Sequence, residues 1–310
     1  MFCCRLRQIF RSPLYRLGVM NGPRCSRKNQ STVPSSVPGV CRRITLLERG
    51  LVLTSVSYLA YLTYRWKKGQ TVVHASIKDD SFLDRADYLY GSGETSKLYE
   101  LLSQYKESNN VEVLWRFARA ARDLSLLDVT SRDEKKRLAY ESLEFAKKAL
   151  EIDESCWAAH KWYGICLSDV GEYEGIKTKI GNAYIIKDHL EKAIELNPND
   201  ATTIHVIGLW CYMFADLPWY QVKIASALFG APPSATFEEA LGYFQQAEEV
   251  DPNFYSKNLL YLGKTYLKLN NKPLALHWLI RAKDFHPRSE EDIEVQKEAT
   301  ATLKNLGENI

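Results

Sequence analysis

The spacing of small and large residues repeats along this chain, and no other feature of the sequence constrains its fold as strongly. Near the C-terminus the chain reads L-x-x-L-G-x-x-Y, then A-x-x-x-L-x-x-A, then proline. Small residues such as Gly263 and Ala282 let two antiparallel helices approach closely, while large side chains fill the space beside them. The residues of this copy are Leu259, Leu262, Gly263, Tyr266, Ala275, Leu279, Ala282 and Pro287.

Parts of the same pattern recur upstream. A six-residue string that begins with alanine ends each second helix, and we call it the closing phrase of the repeat. It reads A-L-E-I-D-E at 149–154, A-I-E-L-N-P at 193–198 and A-E-E-V-D-P at 247–252. The first-helix glycine recurs at Gly164, Gly208 and Gly263, so successive copies lie 44 and 55 residues apart. Because the two-helix unit has about 34 residues, insertions of about 10 and 20 residues must interrupt the repeats. We place them around Val170–Ile186 and Asp216–Thr236.

This pattern predicts an all-α fold, a tetratricopeptide-like helical solenoid with insertions between repeats. We assign residues 80–306 to this domain. A degenerate helix–turn–helix is expected within residues 86–102. The next helix pair is expected at Val111–Leu127 and Lys135–Ile152, and a polar capping helix at Glu290–Leu306.

The N-terminal part of the chain differs from the rest in charge. Residues 1–68 carry 13 Lys or Arg and a single acid, Glu48, whereas the remainder carries 28 Lys or Arg and 37 Asp or Glu. Residues 1–47 contain no acid and are rich in Arg and Ser, which is the composition of a mitochondrial transit peptide. A disordered basic tail is the alternative. A secretory signal does not fit, because no long apolar stretch follows the first basic residues.

Residues 48–68 form a short apolar segment, and residues 69–79 link it to the helical domain. Within this segment Gly50–Tyr64 is uncharged and flanked by Arg and Lys. As a helix it would span roughly 22 Å, which is less than the ~30 Å hydrocarbon layer of a membrane. A tilted or snorkelling membrane anchor, an interfacial helix and a buried helix all fit this segment.

The sequence contains no pattern that predicts catalysis. A phosphate-binding G-x-x-x-x-G-K-[ST] loop and a G-x-S-x-G nucleophile elbow are both missing, and no two histidines stand at the i, i+4 spacing of helical metal ligands. The cysteines form no CxxC pair, so free thiols are expected. We therefore predict a protein that is not an enzyme and uses no cofactor or metal. Its acidic body does not favour nucleic acid as a partner.

The first helix of each repeat is expected to line a concave groove. Groove positions lie three residues before, one after and four after the packing glycine, which gives a mixed apolar and basic lining. A carboxylate clamp would need asparagine where Ile165 and Val206 stand, so a partner helix or lipid acyl chains suit this lining better. The predicted groove residues are Lys161, Ile165, His205, Leu209, Tyr212, Lys257, Leu260 and Lys264, with Ser168 and Leu267 beside them.

Two aromatic residues of the second insertion, Trp219 and Tyr220, form a further candidate site. The repeat scaffold does not require them, so they are free to contact a partner. The other tryptophans stand at or beside positions that pack the repeats together.

Several strings of this sequence resemble the regulator of microtubule dynamics protein family, and the resemblance covers about residues 80–306. It implies association with microtubules and the mitotic spindle. For membrane-anchored relatives it also implies attachment to mitochondria or endoplasmic reticulum, and for at least one relative lipid binding. It brings no catalytic residues. The strings are 86–90 (ADYLY), 160–163 (HKWY), 175–177 (GIK), 182–187 (NAYIIK), 210–212 (WCY), 218–221 (PWYQ), 240–244 (ALGYF) and 251–260 (DPNFYSKNLL).

Two functions are therefore expected as alternatives. One is a non-enzymatic adaptor in the cytoplasm that associates with microtubules and the spindle. The other is a mitochondrial, membrane-attached module that binds protein or lipid. Because tubulin is acidic, the basic arm or a local basic patch would have to attract it. Candidate patches are 135–137 (KKR), 147–148 (KK) and Arg281, Lys283 and Arg288, each of which is otherwise a solvated helix face.

Overall fold

The structure, a computed structural model, describes residues 80–229 and 233–308. The predictions for the basic leader, for the apolar segment and for the linker lie outside these residues. Every regular element in the described ranges is a helix. The helices are α1 (Asp80–Gly91), α2 (Thr95–Ser103), α3 (Val111–Leu126), α4 (Arg132–Ile152), α5 (Trp157–Glu174), α6 (Ile176–Leu196), α7 (Ala201–Ala215), α8 (Trp219–Phe229), α9 (Phe237–Val250), α10 (Ser256–Lys268), α11 (Lys272–Lys283) and α12 (Glu290–Asn305).

The helices pack in pairs that are consecutive along the chain, except that α7 pairs with α9. The pairs are α1 with α2, α3 with α4, α5 with α6, α7 with α9 and α10 with α11, and α12 packs on α11 and α10. First helices also contact one another along the stack, as α3 does with α1 and α5. Short helices of this kind gain their stability from burying one face against the next pair. The predicted helix pairs upstream and the C-terminal capping helix are all present.

The closing phrase of the repeat ends the second helices in one common way. The backbone N–H of Asp153, Asn197 and Asp251 donates to the carbonyl of the alanine four residues earlier. These alanines are fully buried. A larger side chain at any of these positions would hold the paired helices apart. The repeated sequence string is thus a repeated helix C-terminus. The alanines are Ala149, Ala193 and Ala247.

Glycines set the closest approach within two of the pairs. A Cβ atom added to Gly263 would lie 2.6 Å from Cγ of Leu279 and 3.2 Å from its backbone nitrogen. A Cβ on Gly208 would lie 2.9 Å from the ring of Phe244. The predicted close packing of Gly263 against the second helix is therefore confirmed.

The two insertions take different forms. The first does not interrupt the repeat as a loop. It lengthens α5 and α6 into helices of 18 and 21 residues, joined through the single residue Gly175, whose φ of +88° suits glycine. The second insertion contains a helix of its own, α8, between α7 and its partner α9. No helix in the described ranges is long and apolar enough to cross a membrane.

Candidate partner-binding surfaces

The apolar residues of the predicted groove lie inside the helical stack. Ile165, Leu209 and Leu260 are at most 1% exposed, and His205 and Tyr212 at most 5%. They therefore pack one repeat on the next. Their prediction as a surface for a partner stays a prediction, and a ligand would reach them only if the surrounding helices move apart.

His205 and Tyr212 join α7 to α10. The Nδ1 atom of His205 lies 2.9 Å from Oδ1 of Asn258, and its ring contacts the rings of Phe244 and Tyr255. Tyr212 meets the ring of Tyr261 edge to face at 5.1 Å. Burial lowers the pKa of His205 to about 3, because the charged imidazolium would lose its hydration there. This histidine is therefore neutral at physiological pH.

Each of the three lysines of the predicted groove pairs with an acidic residue. This residue lies at the start of α7 or on α12. The ammonium of Lys161 lies 2.8 Å from Asp200. Lys257 lies 2.9 Å from Glu291, and Lys264 lies 2.7 Å from Glu298. These ion pairs cross-link successive repeats, so the three lysines do not stand as free cations facing a partner. Lys264 also lies over the ring of Tyr261, at 4.8 Å.

Three arginines of α3 form similar ion pairs nearer the N-terminus, and none of the sequence motifs predicted them. Arg116 and Arg119 both contact Asp87 of α1, at 2.7 and 3.2 Å, and Arg122 contacts Asp169 of α5 at 2.7 Å. Burial opposes ionisation of Asp87, but the hydrogen bonds and charge of Arg116 hold the pKa of Asp87 below its usual value. The spacing of three arginines at i, i+3 and i+6 was the available signal, because it places them on one helix face.

The insertion aromatics lie at the surface. The side chain of Trp219 is 71% exposed and that of Tyr220 is 44% exposed, with Val222 exposed beside them. The ammonium of Lys223 lies 5.1 Å from the ring centroid of Trp219, a cation–π contact. On the other side of α8, Gln221 and Ala225 are buried. Helix α8 thus buries one side and presents aromatic surface on the other, and its role as a contact site stays a prediction.

The predicted basic patches differ in how far their charge is neutralised. Within the α4 patch, Arg137 pairs with Glu134 at 2.6 Å and with Glu141 at 3.0 Å. Lys147 has only a long contact of 3.9 Å with Glu151. The C-terminal patch lines an open cleft of about 400 Å³ that contains Arg281 and Arg288. Across the described residues, no group of three or more His, Cys, Asp or Glu side chains is placed to hold a metal ion.

The chain is similar to proteins of one family. A family model described as regulator of microtubule dynamics protein 1-3 matches residues 82–307. Regulator of microtubule dynamics protein 1 of Homo sapiens is 62% identical over 261 residues, covering 84% of this chain and 83% of the relative. The protein of the same name from Mus musculus is 61% identical over 259 residues, covering 84% and 85%. Regulator of microtubule dynamics protein 3 of Xenopus laevis is 36% identical over 229 residues, covering 72% and 48%.

A solved structure supports the same fold. The crystal structure of a thermophilic TPR protein from Thermus thermophilus aligns with a TM-score of 0.50 at 17% sequence identity, covering 71% of this chain and 98% of that protein. A likeness at this identity speaks for the fold alone. The predicted fold class, an all-α tetratricopeptide-like solenoid, is confirmed.

Proposed function

The chain belongs to the regulator of microtubule dynamics protein family, and from this membership we infer that it is a non-enzymatic adaptor that associates with microtubules. The observation that carries the proposal is the family match over residues 82–307, which spans almost the whole described domain. A helical solenoid suits this role, because it offers extended surface for protein partners without a catalytic cavity. We place the protein in the cytoplasm, on microtubules and on the spindle.

The uneven distribution of charge along the chain restricts which part of it can attract an acidic microtubule. Residues 69–310 carry an excess of 9 acidic charges, whereas residues 1–68 carry an excess of 12 basic charges. Microtubules are acidic, so the acidic body alone would be repelled at long range. We propose that the basic N-terminal part supplies the long-range attraction and that local surfaces of the domain supply specific contacts. The exposed aromatics Trp219 and Tyr220 are the first candidates for those contacts.

Co-sedimentation with polymerised tubulin tests this proposal. The full chain should bind, and binding should weaken steeply between 0.1 and 1 M salt, where the Debye length falls from about 10 Å to about 3 Å. Removal of residues 1–68 should weaken binding at low salt, with circular dichroism verifying that the remaining domain is folded. Failure of the full chain to bind at any salt concentration would overturn the microtubule role.

One observation favours a second function, a mitochondrial module that binds protein or lipid. Residues 1–47 contain no acid, and import sequences share this property. A fluorescent reporter fused to Met1–Leu47 should then accumulate in mitochondria. N-terminal sequencing of the protein from cells should show whether the leader is removed. Diffuse reporter fluorescence together with an intact N-terminus would rule out the mitochondrial function and favour the cytoplasmic one.

A further inference from the structure

A basic cleft lies near the C-terminal end of the described domain, around two residues of the C-terminal basic patch, Arg281 and Arg288. Its volume is about 400 Å³ and it is open to solvent on one side. It is formed by the end of α11, by the loop that leads to α12 and by the turn between α9 and α10. The lining residues are Asn253, Ile280, Arg281, Asp284, Phe285, His286 and Arg288.

Arg281 is held in a fixed position in this cleft. Its Nη2 atom donates to Oε1 of Glu248 at 2.9 Å and to Oδ1 of Asn253, and its guanidinium lies 4.5 Å from the ring of Trp278. About a third of the side chain, 31%, is exposed. A guanidinium has five N–H donors in a rigid fork, so Arg281 retains donors that can point into the cleft. The contacts with Glu248 and Trp278 reduce the entropy that Arg281 would lose on binding an anion.

Arg288 supplies a second and less neutralised charge. Its backbone N–H donates to Asp292 at 2.9 Å, which fixes the chain where α12 begins. Its side chain is exposed and lies 5.8 Å from the ring of Phe285. Within the described ranges, no carboxylate forms an ion pair with this guanidinium.

Arg281 is paired with Glu248, so the positive charge of the cleft comes mainly from Arg288. The only acid in the lining, Asp284, lies 3.3 Å from Lys283, which partly neutralises it. His286 adds an exposed imidazole. Beside these charges the cleft has an apolar wall, formed by Phe285 and by Ile280, which is 39% exposed. The body of the protein is acidic overall, so this local excess of positive charge stands apart from the charge of the domain.

We propose that this cleft binds an acidic peptide segment. A carboxylate of the peptide lies between the guanidinium groups of Arg281 and Arg288, whose N–H donors fit the two oxygens of a carboxylate. A neighbouring apolar side chain of the peptide packs on Ile280 and Phe285. The apolar wall favours a peptide over a simple anion, because a simple anion would gain nothing from it. The proposal rests on the proposed function for the identity of the natural partner, since a microtubule presents acidic peptide tails.

Fluorescence anisotropy on the full chain tests the cleft directly. The probe is a labelled synthetic peptide of four glutamates around one phenylalanine, and the control peptide carries glutamines instead of glutamates. We expect the acidic probe to bind and the glutamine probe to bind at least about tenfold more weakly. Arg288→Glu should weaken the acidic probe at least about tenfold. Lys97→Glu makes the same change of charge at an exposed position on α2, outside the predicted basic patches, and should leave the affinity within about twofold.

Three outcomes would overturn the peptide site. The first is no binding of the acidic probe by the unaltered chain. The second is an equal loss of affinity in Arg288→Glu and Lys97→Glu, which would indicate a diffuse charge effect. The third is competition by inorganic phosphate as effective as competition by unlabelled peptide, which would make the cleft a simple anion site. Co-sedimentation of the unaltered chain separates the two proposals: if it fails while the probe binds as expected, the microtubule role falls and the peptide site stands.

Discussion

Lys161 of α5 donates a hydrogen bond of 2.8 Å to Asp200, the N-cap residue of α7, and both side chains are less than a tenth exposed. Asp200 also accepts from the backbone N–H and from the hydroxyl group of Thr203. A single carboxylate thus caps one helix and ties it to the preceding repeat. The pair therefore belongs to the packing between repeats, although Lys161 was predicted to line an open groove.

We expect Lys161→Met to destabilise the protein by about 3 kcal/mol, because it leaves the Asp200 carboxylate buried without its counter-charge. Thermal unfolding followed by circular dichroism measures the loss, which should lower the melting temperature by roughly 6–12 °C. Lys147→Met is the matched control, because Lys147 is 67% exposed and has only a 3.9 Å contact. Its melting temperature should change little. Equal effects of the two substitutions would contradict this view of the pair.

Gly263 offers a test of the close approach within the repeat. An alanine Cβ there would lie 2.6 Å from Cγ of Leu279, which is a branch point, and 3.2 Å from its backbone nitrogen. We expect Gly263→Ala to lower the melting temperature, because relief of this clash requires α10 and α11 to separate. Gly242→Ala should raise it, since Gly242 is an exposed residue of α9 with nothing within 4 Å of a new Cβ. A rise in the melting temperature of both variants would show that helix propensity decides both positions.

Much of the helical scaffold could be predicted, because the spacing of residues within one repeat predicts the two helices of that repeat. The C-terminal copy correctly predicted the pair α10 and α11, and the capping helix predicted at Glu290–Leu306 is found at Glu290–Asn305. The form of the first insertion could not be predicted. The number of residues between two repeat glycines gives the length of an insertion but does not distinguish a loop from a longer helix. Gly175, with its positive φ, is the only break between α5 and α6.

The environment of the candidate groove could not be predicted from the same spacing. The position of a residue within one repeat does not predict which residue of the next repeat it contacts. His205 meets Asn258, which is 53 residues away, and Lys161 meets Asp200, which is 39 residues away. Such contacts depend on how the insertions shift consecutive first helices. Trp219 and Tyr220 were easier to place at the surface, since the repeat pattern assigns them no packing role.

The buried imidazole of His205 should make stability depend on pH. Its folded pKa is lowered to about 3, whereas an unfolded histidine titrates near 6.5, so only the unfolded chain takes up this proton as the pH falls below about 6.5. The stabilising contribution is present above that pH and is lost on acidification. Between pH 7 and pH 5 the loss from this group is about 2 kcal/mol.

Urea unfolding at pH 7 and pH 5 measures this effect. In His205→Gln the loss of stability between the two pH values should be about 2 kcal/mol smaller than in the unaltered chain, whatever the absolute stability of the variant. Comparison of the variant with the unaltered chain removes other contributions. His189, with its pKa lowered to about 4, acts in the same direction, and Asp123, with its pKa raised by burial to about 6, acts in the opposite one. An unchanged pH dependence would contradict the burial of a neutral His205.

Trp219 should matter for binding and not for stability. Its side chain is 71% exposed, so Trp219→Ala should change the free energy of unfolding by less than about 0.5 kcal/mol. If α8 contacts the partner, the same variant should weaken microtubule co-sedimentation severalfold. Tyr88→Ala is a matched control, because Tyr88 is also a 71% exposed aromatic but lies on α1. Equal binding by both variants and the unaltered chain would remove the insertion aromatics from the proposed function.

Leu209 decides whether the predicted groove can serve a ligand in the folded protein. It is 1% exposed on α7, so a carboxylate there would be buried without a partner. We expect Leu209→Asp to cost at least about 3 kcal/mol and to lower the melting temperature sharply. Leu274→Asp is the control, because Leu274 is 40% exposed in the first turn of α11, where the helix dipole favours an acid. If instead Leu209→Asp melts like the control and loses binding of a lipid or peptide, the groove opens in solution and the packed arrangement is only one of its states.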